Sequence, residues 1–128
     1  MLKNKIIMNS DDETILYATN EIDQLMLDVK EWDICDKTLI FNLEVDQSMK
    51  KYSYSVSRST LSNEVHIILK GQSSTEVLHG VYFAFEKMGF VFDISGPIKS
   101  KILKVMNILE TEEIINPSVL KRGISTGL

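Results

Sequence analysis

Apolar residues fall at Ile15, Leu16, Ala18, Ile22, Leu25, Met26, Val29 and Trp32, with Asp, Glu, Lys and Asn between them. That spacing lines one face of a 3.6-residue helix, and it predicts a helix from about Asp12 to Glu31. Ser10-Asp11-Asp12-Glu13 ahead of it reads as a capping box, with acids in the first turn where the helix dipole favours them. A second stripe, Val77, Leu78, Val81, Phe85 and Met88, predicts another helix of four turns. Its ends are also written in the chain. Ser73 and Glu76 form a capping box, Gly89 stands where a left-handed cap wants no side chain, and Phe90 can close the hydrophobic contact beyond it.

Strand patterns fill the remainder. Lys5 to Met8 is a short strand, and the apolar, β-rich run Thr38 to Val45 is a central one. Tyr52, Tyr54 and Val56 alternate with Ser53, Ser55 and Ser57, the period of a half-buried strand whose serines face outward. A turn over Ser59 to Glu64 leads into Val65 to Leu69 as an antiparallel hairpin. Phe90-Val91-Phe92 is a short strand ended by Ser95-Gly96-Pro97, and Ile102 to Leu109 is a further strand candidate. The order β-α-β-β-β-α-β describes an α+β two-layer sandwich: a mixed β-sheet with two helices on one face.

At 128 residues the chain is long enough for one domain with a real core and no staples. Residues 1–116 form that α+β domain, and the break at Asn116-Pro117-Ser118 sets off residues 117–128 as a linker and the start of a further element. The net charge of −4, with both signs interspersed, argues against nucleic acid or an anionic membrane as the main partner, since each needs clustered basic residues. Cys35 alone excludes an internal disulfide framework and a multi-cysteine metal site. No uninterrupted apolar run approaches a membrane span, and the apolar part of Met1 to Met8 is too short for a signal-peptide core.

Candidate chemistry is thin. Asp11 with Asp12, Glu86 with Asp93, and Glu110 with Glu112 and Glu113 are the carboxyl pairs to weigh against glycosidic-bond chemistry, which needs two carboxyls held around one bond. The first pair suits a helix start, the last run suits a solvated turn, and Glu86 beside Lys87 suits a water-facing helix surface. His66 and His79 lack a ligand set and read as hydrogen-bonded structural histidines. Cys35 lies between acids that disfavour a thiolate, and Gly71, Gly80 and Gly89 are too sparse for a phosphate loop. Gly80 in mid-helix costs about 1 kcal/mol relative to alanine, which a close approach of helix to sheet would offset. Trp32, Tyr82 and Phe85 read as core aromatics, whereas Phe83, opposite the apolar stripe, is the candidate for contact with a partner domain. Catalytic, cofactor-binding and metal-binding residues are expected to be none, and no cofactor is expected.

Three segments carry a resemblance. They are the hairpin Tyr52–Ser57 with Val65–Gly71, the helix Gly80-Val81-Tyr82 closing in Glu86-Lys87-Met88-Gly89-Phe90, and Pro117 followed by Arg122-Gly123-Ile124. From about Tyr52 to Ile124 the chain resembles the non-catalytic N-terminal domain that precedes the barrel in β-hexosaminidases, α-glucuronidases and related glycoside hydrolases. It departs from hexosaminidases at Glu76, where a glycine is usual, and from α-glucuronidases at Phe92-Asp93-Ile94-Ser95-Gly96-Pro97, where a Trp-containing ending is common. The resemblance implies an accessory domain that packs against and supports a catalytic (β/α)8 barrel of the same polypeptide, with the catalytic carboxylates on that barrel. It implies carbohydrate at the domain edge as a further partner, and a periplasmic or extracellular parent. The alternative from the element order alone is a free-standing, ferredoxin-like module that binds a ligand on an exposed sheet face.

Overall fold

The structure is a computed structural model that describes residues 2–93, 96–98 and 102–116. The chain forms β1 (Asn4–Met8), α1 (Glu13–Met26), β2 (Glu31–Trp32), β3 (Thr38–Val45), β4 (Tyr54–Leu61) and β5 (Glu64–Gly71). It continues through α2 (Ser74–Lys87), β6 (Val91–Asp93), β7 (Gly96–Ile98), β8 (Ile102–Leu103) and β9 (Glu113–Ile115), with a 3-10 turn at Val105–Asn107. The architecture is the α+β two-layer sandwich: a five-stranded mixed sheet in the order β1-β3-β5-β4-β9, with both helices packed on one face. β1, β3 and β5 run parallel, β4 pairs antiparallel with β5, and β9 antiparallel with β4.

The core lies between the layers. Ile15, Ala18, Ile22 and Leu25 of α1 and Val77, Val81, Ala84 and Phe85 of α2 bury against Leu39, Phe41 and Leu43 of β3 and Val65, Ile67 and Leu69 of β5. Phe41 and Phe85 stack at 5.6 Å, and Phe90 meets Phe85 edge-on at 5.3 Å. The end of α2 is as the sequence predicts. Gly89 takes φ 116°, its amide donates to the Glu86 carbonyl, and the Phe90 amide donates to the Phe85 carbonyl at 2.9 Å.

Several expectations change. α1 ends at Met26, five residues short of the expected Glu31, because Val29 and Ile34 turn into the core and Glu31–Trp32 pairs in parallel with Ile102–Leu103. Its N-cap is Asp12, not Ser10: the Asp12 carboxylate accepts from the Ile15 amide at 2.9 Å. Ser73 caps α2 by position only, since its hydroxyl donates to the Glu76 carboxylate instead of accepting from a backbone amide. Tyr52 precedes β4, exposed and at φ 67°.

The outward serines are not all outward. Ser53 and Ser55 are buried, because β9 lies beside them: Glu112 accepts from Ser55 at 2.9 Å and Asn116 donates to Ser53 at 3.2 Å. The run at Glu110 to Glu113 is therefore not simply a solvated turn, since Glu113 opens a strand. Ile102 to Leu109 holds only the two-residue β8 before the 3-10 turn, its paired apolar residues Leu103, Val105 and Ile108 pointing into the core. Gly96-Pro97 does not end a strand but begins β7, which pairs with β6. The expected linker at 117–128 lies outside the described residues.

Of the two glycines between the layers, Gly71, at the end of β5, makes the closer approach. A β-carbon there would lie 2.4 Å from the Val77 nitrogen. At Gly80 a β-carbon would meet Tyr54 at 3.6 Å, an ordinary contact, so the close approach expected at Gly80 belongs to Gly71.

Candidate functional site

β4, β9 and α2 together build an apolar groove at one edge of the helix layer. β4 supplies Tyr54 and β9 supplies Glu113 and Ile115, which pair with Val56 and Tyr54 and so share their helix-side face. α2 supplies Phe83, and the loop before β4 supplies Met49 and Lys50. The groove has a volume of about 780 Å3. Tyr54 forms its floor, 8% exposed, with Phe83 and His79 edge-on to its ring at 6.0 and 6.2 Å. No buried side-chain polar atom lacks a partner among the described residues, and the Tyr54 hydroxyl, without one, reaches the groove. Burial raises the Tyr54 pKa above its ordinary 10.0, and the charges of Glu86 and Glu113 push it the same way.

One rim of the groove is already paired. The Lys87 ammonium lies 5.7 Å from the centre of the Phe83 ring and 3.7 Å from the Glu113 carboxylate. Glu86, one residue along, is exposed on the same side and forms no ion pair with a described residue. The arrangement offers apolar area, one phenolic donor and two carboxylates, which is the make-up of a contact surface and not of a proton-transfer site.

A second cavity, about 660 Å3 and polar, opens where the carboxyl ends of β1, β3 and β5 meet the starts of both helices. In open α/β sheets this is a common ligand position. Here its groups satisfy one another. Asp12 takes the Ile15 amide and the Ser74 hydroxyl, Asn9 exchanges two hydrogen bonds with the Val45 backbone at 2.9 and 3.1 Å, and Asp46 takes the Ser48 amide and hydroxyl. These bonds hold the Asp12 carboxyl below its ordinary value, the Ser74 hydroxyl contributing most, and the Asp46 carboxyl likewise through Ser48.

On the opposite, helix-free face of the sheet, His66 stands between Asn42 at 2.9 Å from Nδ1 and Glu64 at 3.1 Å from Nε2. That is a hydrogen-bonded structural histidine. Its carboxylate partner sits two residues earlier on the same strand face, a period-2 signal that a search for helical or metal-ligand spacing passes over. His79 packs its ring against Tyr54. Among the described residues no group of three or more His, Cys, Asp and Glu side chains gathers to hold a metal ion.

The other candidates are scattered. Asp12 caps α1, Glu110 lies 3.7 Å from Arg58, and Glu112 and Glu113 are tied to Ser55 and Lys87. Cys35 is exposed, and its carbonyl accepts from the Trp32 indole at 2.6 Å. Trp32 is a strand residue packed at the edge of the core, Phe85 is fully buried, and the Tyr82 hydroxyl donates to Glu21 of α1 at 2.7 Å. Phe83 lies at the flank of the core against Tyr54, not opposite the stripe, with part of its ring left open. Sequence patterns missed Tyr54 as a groove floor and β9 as its wall, because β9 is only three residues long, Glu-Ile-Ile, too short to show a period.

Among the described residues no helix is long and apolar enough to cross a membrane. Comparison of the sequence with protein-family models gives no match, and comparison with curated proteins gives none either.

Proposed function

We propose that this chain is a non-catalytic accessory domain of a glycoside hydrolase, of the type that precedes the barrel in β-hexosaminidases and α-glucuronidases. Its work is to pack against and support a catalytic (β/α)8 barrel of the same polypeptide. The observation that carries the reading is the groove over Tyr54: an apolar surface with Phe83 and Ile115 half-open, where a soluble single domain would normally close its helix layer. Asn116, from which the chain runs on to Pro117, lines the same groove, so whatever follows in the polypeptide starts beside it.

The site supports contact better than chemistry. The carboxylates near the groove are bound to Lys87 or face water, and the histidines are used in structural hydrogen bonds and ring contacts. The free-standing ferredoxin-like alternative fits less well. That order pairs its strands antiparallel, whereas β1, β3 and β5 are adjacent and parallel, and the polar groups on the open sheet face bond to one another.

Reading the gene beyond the Leu128 codon tests the proposal directly. Several hundred further residues of alternating strand and helix patterns, with a pair of acidic residues at strand ends, are the expected result. A stop codon directly after Leu128 overturns it.

A further inference from the structure

We infer that the occupant of the groove is an amphipathic helix of the partner domain, lying beside α2 as a third member of the helix layer. The inference rests on the accessory-domain reading and specifies which element of the partner makes the contact. Two helices about 10 Å across span roughly 20 Å, or about four strands at ~4.8 Å spacing. This sheet has five strands, and α2 packs on β3, β4 and β5. Among the described residues the lane over β9 is therefore left without a helix, and the groove is that lane. Its apolar lining comes from Tyr54, Ile115, Phe83 and Met49, with Tyr54 and Ile115 paired on the helix side of the sheet and Phe83 packed at the flank of the core.

Charge fixes the orientation of the occupant's polar flanks. On the α2 side stands Glu86, exposed and without an ion pair among the described residues, and on the loop side stands the exposed Lys50. Lys87 and Glu113 cancel each other at 3.7 Å and contribute no net charge. A helix with an apolar stripe, a basic residue toward Glu86 and an acidic one toward Lys50 meets every feature of the lane. The stripe also needs one hydrogen-bond acceptor, because the Tyr54 hydroxyl otherwise stays unpaired in a drying interface.

The test uses the full-length polypeptide with the photoreactive residue p-benzoylphenylalanine in place of Phe83, and in a second variant in place of His66 on the opposite sheet face. After irradiation, peptide mass spectrometry identifies the linked segment. The expected adduct from position 83 joins a segment beyond Leu128 whose apolar residues recur every three to four positions, with yield several times that from position 66. Adducts to a segment with alternating polarity, adducts only within residues 1–128, or a higher yield from position 66 each overturn the helix assignment while leaving the accessory-domain reading standing. A gene that ends at Leu128 removes both. As a second measurement, Tyr54→Phe in the full-length polypeptide should reduce the yield from position 83 by several-fold while leaving the circular dichroism spectrum of the polypeptide unchanged. An unchanged yield overturns the role given to the hydroxyl.

Discussion

Gly71 faces the backbone of Val77 so closely that a β-carbon on Gly71 would lie 2.4 Å from the Val77 nitrogen and 2.8 Å from the Glu76 carbonyl carbon. The contact joins the end of β5 to the first turn of α2 across a two-residue connection, and neither side can yield because both are backbone. Gly71→Ala should therefore destabilise the domain by about 3 kcal/mol, the scale of overpacking against rigid surroundings. Gly80 is the control. A methyl there meets the Tyr54 ring at 3.6 Å, and alanine is favoured over glycine in mid-helix by about 1 kcal/mol. Gly80→Ala should match or raise the thermal midpoint, while Gly80→Leu drives its branch into Tyr54 and Leu69 and lowers it. Thermal melts of the three variants decide the matter, and an unharmed Gly71→Ala protein would show that the β5–α2 junction relaxes freely.

Arg58 holds the returning chain onto the sheet. Its guanidinium is nearly buried, its Nε donates to the Ile108 carbonyl at 2.8 Å, and a second nitrogen donates to Thr60 at 3.2 Å. The backbone amide of Arg58 also donates to the Leu109 carbonyl at 2.9 Å. Arg58→Met keeps the stem but leaves the Ile108 carbonyl without its charged donor, at an expected cost of about 2 kcal/mol. Glu110, at 3.7 Å from Arg58 and 74% exposed, contributes much less, so Glu110→Gln should change stability by under about 0.5 kcal/mol. Chemical denaturation with the linear extrapolation measures both. Equal losses from the two variants would mean that the ion pair, not the carbonyl bond, fastens the segment.

The parts of this fold that sequence reveals are those decided by neighbours in the chain. The β3 run Thr38–Val45 is read at its true limits because five of its side chains are apolar, three of them β-branched or aromatic, with nothing competing. The α2 cap at Gly89 is read because only glycine suits φ 116° there. The errors arise where a distant segment decides. Leu27 to Lys30 contains no helix breaker, yet α1 stops, because Trp32 finds its strand partner Leu103 about seventy residues later. Ser53 and Ser55 look like an outer face until Glu112 and Asn116 arrive to cover them. The groove was legible in one residue only, Phe83, which the sequence marks as a contact aromatic although it sits at the flank of the apolar stripe and not opposite it. Its floor and far wall come from pairing β4 with β9, which no periodicity announces.

At high pH the domain should lose stability through the half-buried Tyr82. Burial, and then the hydrogen bond to Glu21, raise the Tyr82 pKa well above its ordinary 10.0. The phenol stays protonated in the folded chain while the unfolded chain ionises near pH 10. The unfolded state thus binds fewer protons above that pH, and stability, fully present below about 10, falls as pH rises further. Tyr82→Phe removes this group and should flatten the fall between pH 10 and 11.5, at some cost at neutral pH from the lost Glu21 bond. Denaturation midpoints across that range are the measurement. A slope identical to that of the parent chain would mean that Tyr82 ionises as freely folded as unfolded.

Asp12 gives the complementary effect in acid. Its carboxylate takes the Ser74 hydroxyl, the Ile15 amide and the Ser10 hydroxyl, and so links the starts of the two helices. The Ser74 and Ile15 bonds hold its pKa below the ordinary 3.8. The folded state therefore keeps Asp12 ionised at a pH where the unfolded state has begun to take up a proton. The resulting stabilisation is present above about pH 4 and is lost as pH falls through the lower, folded value. Asp12→Asn keeps a capping oxygen but has no carboxylate to titrate. It should lower stability at pH 7 and show a smaller decline between pH 5 and 2 than the parent chain. Ser74→Ala should weaken the same acid dependence without removing the α1 cap, because the Ile15 bond remains. If Asp12→Asn reproduced the full acid decline, the loss would have to come from other carboxylates, with Asp46, likewise depressed by Ser48, the first to test.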